Sequence, residues 1–216
     1  MSECDICEEL AIIKVKQLEQ DLKLSILLTG VGALVAALPP SGNYWNPLDA
    51  GGAVVLSNGD KDATGDSASS VRSVTSHASG KYYFEVLVSG AESYIGIANA
   101  AASVTTDPIG FDADGVSVAC ESGSVWENGG STAYAAGASG GEVYGIAADL
   151  DGGKFYVAIN GTWQNSADPA AGTGGYAFGV TGAYFMALTP DFGSTNLRSQ
   201  DADFTQTKPT GFSAWG

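Results

Sequence analysis

The stretch Lys81–Val88, KYYFEVLV, leaves this chain few ways to fold. Tyr82, Phe84, Val86 and Val88 share one parity, and Tyr83, Glu85 and Leu87 share the other. Period-two alternation of aromatic and β-branched residues is the pattern of a half-buried strand on a sandwich face. After residue 47 no helical periodicity of useful length follows. Short alternating runs appear instead at 53–56, 71–74, 81–88, 93–98, 115–119, 142–149, 154–159 and 184–189, punctuated by Gly, Asn and Asp. That spacing predicts an all-β body, an antiparallel sandwich. Two hairpins are specified by turn chemistry. Asp149-Leu150-Asp151-Gly152-Gly153 joins two strands, and Asn160-Gly161 is the dipeptide that a tight primed turn demands. The Asn160-Gly161-Thr162 sequon therefore reads as a turn.

Composition excludes several function classes. The 24 acidic residues outnumber the 9 basic ones, giving a net charge of −15. Nucleic acid is thus not an expected partner, because phosphate binding needs clustered Lys and Arg. Hydrophobic residues reach 44%, enough for a sizeable core, while 30 glycines and only 15% charged residues favour turns over solvated helices. Cys4-Asp5-Ile6-Cys7 is a lone pair of thiols in a chain whose one histidine is His77. Zinc needs four ligands at closed spacing, so no metal site is expected.

The first forty residues differ from the rest. From Glu8 to Leu38 the pattern is helical, and Pro39-Pro40 ends it. With Leu10 as position a of a heptad, a and d fall on Leu10, Ile13, Gln17, Gln20, Leu24, Leu27, Val31, Leu34 and Leu38. The two glutamines form one polar layer that would help fix register and number. The leading reading is a helix that packs on copies of itself; docking onto another protein and membrane contact stay open. The uncharged run Leu24–Leu38 is 15 residues long, short of the ~20 that a spanning helix needs. No base precedes Lys14, so a secretory signal is not expected. Residues 1–40 thus read as an anchor or oligomerisation segment and 41–216 as the β domain, with PPSGNYWN an extended, ordered junction.

Five blocks carry a resemblance: SGKYYFEV at 79–86, YIGIAN at 94–99, GEVYGIAADLDGGKFYVAINGTW at 141–163, FMALTPDFGSTNLR at 185–198 and KPTGFSAW at 208–215. Their order resembles that of a SPRY domain, over roughly residues 46–216. The resemblance implies a bent antiparallel β-sandwich whose end loops bind proteins, with no chemistry of its own and no cofactor. Within it, SGKYYFEV would be a central strand. The chain departs from the cellular pattern in being much richer in Gly, Ala and Ser. A self-associating helix followed by one acidic, glycine-rich sandwich is similar in architecture to small virion proteins of bacteriophages. By that analogy the chain is a fibre, tail or capsid decoration protein made in the host cytoplasm. It would anchor to other virion proteins through its N-terminal segment and face a host surface component. The alternative is a cellular SPRY adaptor that binds a protein partner.

No nucleophile–base or metal constellation stands out, so an enzyme is not expected. His77, in a Ser-rich stretch, reads as a loop or strand-edge residue. The acid pairs Asp112/Asp114, Asp149/Asp151 and Asp201/Asp203 read as turns or a possible calcium loop. Binding residues are sought instead in the loops Thr105–Asp114 and Gly123–Gly140, because sandwiches bind through end loops and use aromatics for contact area. The candidates are Asp107, Phe111, Asp112, Trp126, Asn128 and Tyr134. The competing reading of Trp126 is a core filler, and Tyr94, Trp163, Phe178 and Trp215 are expected in the core. Sedimentation of the full chain should report a trimer, and a chain shortened to begin at Tyr44 should be a monomer. Monomers in both would remove the heptad reading.

Overall fold

The computed structural model describes residues 43–216 apart from positions 67, 91, 139, 180 and 192. The helical expectations for Leu10 through Leu38, and the thiols Cys4 and Cys7, lie outside the described residues. The described residues form sixteen strands and no helix. In chain order these are β1 Trp45–Ala50, β2 Val55–Ser57, β3 Asp62–Thr64, β4 Val71–His77, β5 Lys81–Val88 and β6 Tyr94–Asn99. Next come β7 Gly115–Ala119, β8 Ser124–Glu127, β9 Gly130–Ala133, β10 Val143–Asp149 and β11 Lys154–Ile159. The last are β12 Thr162–Trp163, β13 Tyr176–Ala177, β14 Tyr184–Thr189, β15 Ser194–Arg198 and β16 Ser213–Ala214.

The strands build two sheets. One runs β1-β4-β14-β6-β7-β8-β9, and the other runs β12-β11-β10-β5-β15-β3-β2 with β13 on β11 and β16 on β5. Pairing is antiparallel throughout except for β16, which lies parallel to β5. The core fills the space between the sheets: Phe84, Val86 and Val88 of β5 and Tyr144, Ile146 and Ala148 of β10 share one cluster with Ile95, Ile97, Val116, Val118, Met186 and Leu188. Both sequence-specified hairpins form. β10 and β11 pair across the 149–154 turn, and Asn160 (φ 49°) and Gly161 (φ 81°) supply the two left-handed residues of a primed turn between β11 and β12.

The central strand departs from the half-buried expectation, because both of its faces are covered. Tyr83 and Glu85 are fully buried. Tyr83 packs with Ala147, Tyr156 and Phe212, and partly buried Trp163 and Phe204 complete that outer cluster. The C-terminal segment therefore lies over a face that alternation alone would leave in water. Burying the Glu85 carboxylate demands full hydrogen bonding. Oε2 accepts from the Thr205 amide at 2.9 Å and hydroxyl at 3.0 Å, and from Arg198 at 3.4 Å. Oε1 accepts from the Gln206 amide at 2.8 Å and the Tyr83 hydroxyl at 3.0 Å. Burial, with Glu85's negative charge second, pushes the Tyr83 phenol well above its usual range.

At the other end of the core Trp215 is buried against Phe84, Tyr82 and His77. His77 ends β4, stacks on Tyr82 with ring centroids 3.7 Å apart, and bonds the Trp215 carbonyl through Nε2 at 2.9 Å. The strand-edge reading of His77 thus has a packing role.

Gly96 sits where β6 approaches β7 most closely: a Cβ there would lie 1.9 Å from the Val116 carbonyl oxygen. Backbone cannot withdraw as a flexible side chain can. Gly96→Ala in the full chain should lower unfolding stability by about 2–3 kcal/mol or more, whereas Gly52→Ala, which meets nothing within 4 Å, should change it by about 1 kcal/mol or less. Equal denaturant midpoints for the two variants would refute the close approach.

Candidate functional site

The outer face of the seven-stranded sheet is built from the residues that point away from the core: Tyr94, Gly96 and Ala98 of β6, Ser117 and Ala119 of β7, Trp126 of β8, and Ala187 and Thr189 of β14. A strap, residues 100–114, crosses this face. Its Ile109 is buried with Ala98, Ala102 and Ala187. The Ile109 amide donates to Thr189 Oγ1 at 3.1 Å, and its carbonyl accepts from Ser117 Oγ at 2.5 Å. Both backbone groups of one strap residue are therefore held by the sheet below.

This latch delivers Phe111 onto Trp126. The rings stack with centroids 4.4 Å apart and planes 10° from parallel, and Tyr94 meets Phe111 edge-on at 5.7 Å. Each such pair is worth about 0.5–1.5 kcal/mol beyond area burial. The strap also binds the β8–β9 turn: the Asn128 amide donates to the Asp112 carbonyl at 3.0 Å, and the Gly129 amide to the Gly110 carbonyl at 3.1 Å. Asn128 (φ 51°) and Gly129 (φ 71°) form a second primed turn.

Five of the six sequence-predicted binding residues thus lie on the strap or the β8–β9 hairpin. Phe111, Asp112, Trp126 and Asn128 are in mutual support. Asp112 organises the strap, accepting from the Ser103 and Asp114 amides through its two carboxylate oxygens. Asp107 is exposed on the strap, and its carbonyl receives the Ser70 hydroxyl at 3.5 Å. Tyr134 does not belong with them. It is buried in the inter-sheet core and donates its hydroxyl to the Gly174 carbonyl at 2.9 Å, and burial pushes its phenol up to about 12. Trp126 is half-buried on the outer face, so it does not fill the core. Trp215 and Phe178 do lie in the core, whereas Tyr94 and Trp163 are only half-buried. The acid pairs are spent on local bonds: Asp149 on Lys81 and the Gly152 amide, Asp151 on the Gly80 amide, Asp201 on Lys208 and Asp203 on Lys61.

Beside the aromatic row lies a feature the sequence did not single out. The start of β6, the end of β7 and the end of β14 meet at one end of the sheet, and a pocket of about 270 Å³ opens there. It is lined by Glu92, Tyr94, Ala119, Cys120, Glu121, Ser122, Trp126 and Asp191. Three of these are carboxylates, and no Lys, Arg or His is among them. Asp191 is 7% exposed, and its Oδ1 has no hydrogen-bond partner. Burial holds its carboxyl above the usual range, with the charges of Glu92 and Asp66 adding to the effect. The Tyr94 phenol is raised as well, first by burial and then by Asp191, Glu121 and Glu92. The local field is strongly negative. Within the described residues no group of three or more His, Cys, Asp or Glu is placed to hold a metal ion. The Cys120 thiol is fully buried, and burial pushes it well up.

No family model and no curated protein matches the sequence. Solved structures do match in fold. The stonustoxin structure superposes with a TM-score of 0.58 at 17% identity, covering 72% of this chain and 26% of that one. The TRIM65 PSpry domain superposes with a TM-score of 0.56 at 20% identity, covering 72% of this chain and 90% of that one. The body has a SPRY-like fold. The chain spans about a quarter of the stonustoxin chain, 26%, so the likeness there is to one part of a longer protein.

In this SPRY-like body burial raises the Asp191 carboxyl above its ordinary range, so folding disfavours its charged form. A carboxyl whose folded pKa is raised lowers stability once pH rises above its unfolded value. Asp191→Asn should therefore stabilise the full chain at pH 7 by about 1 kcal/mol, roughly 2–4 °C in Tm. The gain should shrink as pH falls and wild-type Asp191 takes up its proton. A variant less stable than wild type at pH 7 would mean that Asp191 has a structural partner.

Proposed function

We propose that this chain is a non-enzymatic binding module of a virus particle, a fibre, tail or capsid decoration component that presents its SPRY-like sandwich to a protein partner. The observation that carries the binding half of this reading is the stacked Trp126–Phe111 pair with Tyr94 edge-on, only half-buried on a face where backbone groups of Ile109, Asn128 and Gly129 latch the strap. Such a surface offers apolar area that is already ordered, so little entropy is lost when a partner covers it. A fixed strap rather than a mobile lid suits recognition.

The particle half rests on the heptad stripe from Leu10 to Leu38 beside an acidic sandwich. An apolar stripe of that length favours burial in an assembly, and a self-paired helix gives each particle several copies of a weak site. Multiplied contact raises avidity without new chemistry. Mass spectrometry of purified particles from the source should find the chain among the structural proteins. Recovery only from host cytosol, in stoichiometric complex with a cellular protein, would support the adaptor instead. Trp126→Ala should leave folding and particle assembly intact and weaken attachment by about tenfold or more. Loss of folding would mean that Trp126 is a packing residue.

A further inference from the structure

We infer that the pocket beside Trp126 is a receptor for one positively charged side chain, an arginine or lysine of the partner polypeptide. This rests on reading the same end of the sandwich as the contact face, and it adds the chemistry of what enters.

The size of the pocket sets the first limit. At about 270 Å³ it falls below the ~300–1,000 Å³ of sites that enclose a drug-sized ligand, so it suits a side chain rather than a nucleotide or cofactor. Charge sets the second. Glu92 and Glu121 are exposed and Asp191 is buried, which places two acids at the rim and one in the wall. Among the described residues, no Lys, Arg or His lines the pocket. Lys61, Arg72, Lys81, Arg198 and Lys208 are all paired with carboxylates elsewhere.

The third observation is Asp191 itself. A nine-tenths buried carboxylate with an unpartnered oxygen is costly to keep, and the cost is met when a donor arrives. A guanidinium fits this site in two ways: its planar fork presents paired N–H donors to a carboxylate, and its face stacks on an aromatic ring. Trp126 and Tyr94 supply the rings in the same pocket, and Trp is the best cation–π partner. Arginine is accordingly expected to bind more tightly than lysine.

The test uses the full chain and defined peptides. Acetyl-Gly-Arg-Gly-amide is titrated while the Trp126 indole and Tyr94 ring signals are followed by NMR, with the citrulline peptide as the uncharged control of the same shape. Saturable shifts with the arginine peptide and none with citrulline are expected. Glu121→Gln, at an exposed position, should weaken the arginine peptide about threefold to tenfold, and Asp191→Asn should weaken it about tenfold or more. An equal response to citrulline, the same shifts with calcium alone, or full affinity in both variants overturns the proposal. The two readings separate cleanly. If no peptide binds but Trp126→Ala still loses particle attachment, the contact face stands and the cation pocket is wrong. If the arginine peptide binds but Trp126→Ala attaches normally, the pocket stands and the display role is wrong.

Discussion

The buried carboxylate of Glu85 fixes more of this molecule than any other single group. A charge taken out of water destabilises unless donors surround it, and here all but one of the donors come from residues 198–206, far along the chain. Satisfying Glu85 brings the C-terminal segment over β5, where Phe212 and Phe204 cover Tyr83. The same segment then sends β16 alongside β5 and drops Trp215 between His77 and Phe84. One acidic residue in the central strand therefore governs how both faces of the nine-stranded sheet are closed.

The seven-stranded sheet follows the opposite policy at its outer face. There the strap is pinned at Ile109 and left open at its edge. The stack of Phe111 on Trp126 is held in place by bonds that lie beneath it, so the half-buried rings need no partner to stay ordered. Asp191, a few residues beyond the end of β14, remains short of a donor. A structure that satisfies Glu85 so fully leaves the Asp191 carboxylate short of a partner in a pocket of acids. Strain of this kind is a common mark of a binding site.

How much of this was legible in the sequence varied with the physics involved. Alternation located β5, and turn dipeptides located the β10–β11 and β11–β12 hairpins, because those signals act over a few residues. The double burial of β5 was not legible, since Phe204 and Phe212 over Tyr83, and Thr205 and Gln206 over Glu85, lie more than a hundred positions away. Strands β8 and β9 were missed although Asn128-Gly129 carries the same turn signal as Asn160-Gly161. The flanking Ser124–Glu127 and Gly130–Ala133 are too short and too polar to alternate convincingly. Trp126 and Phe111 were both picked out, but their stacking was not foreseeable. Tyr134 misled because its glycine-rich neighbourhood suggested exposure, while the contact that buries it, the Gly174 carbonyl, comes from a distant loop. The pocket acids Glu92, Glu121 and Asp191 come from three separate stretches, each unremarked by itself. Only the sheet brings them together.

A SPRY-like sandwich can serve many partners, so the orientation of the aromatic end matters more than the fold. Cryo-electron microscopy of purified particles bears on this most directly. Sandwich density in repeated copies, with the Asn128–Gly129 turn outermost and the Trp126 face open to solvent, is expected. Particles without that density, or with this end packed against the particle body, would contradict outward display.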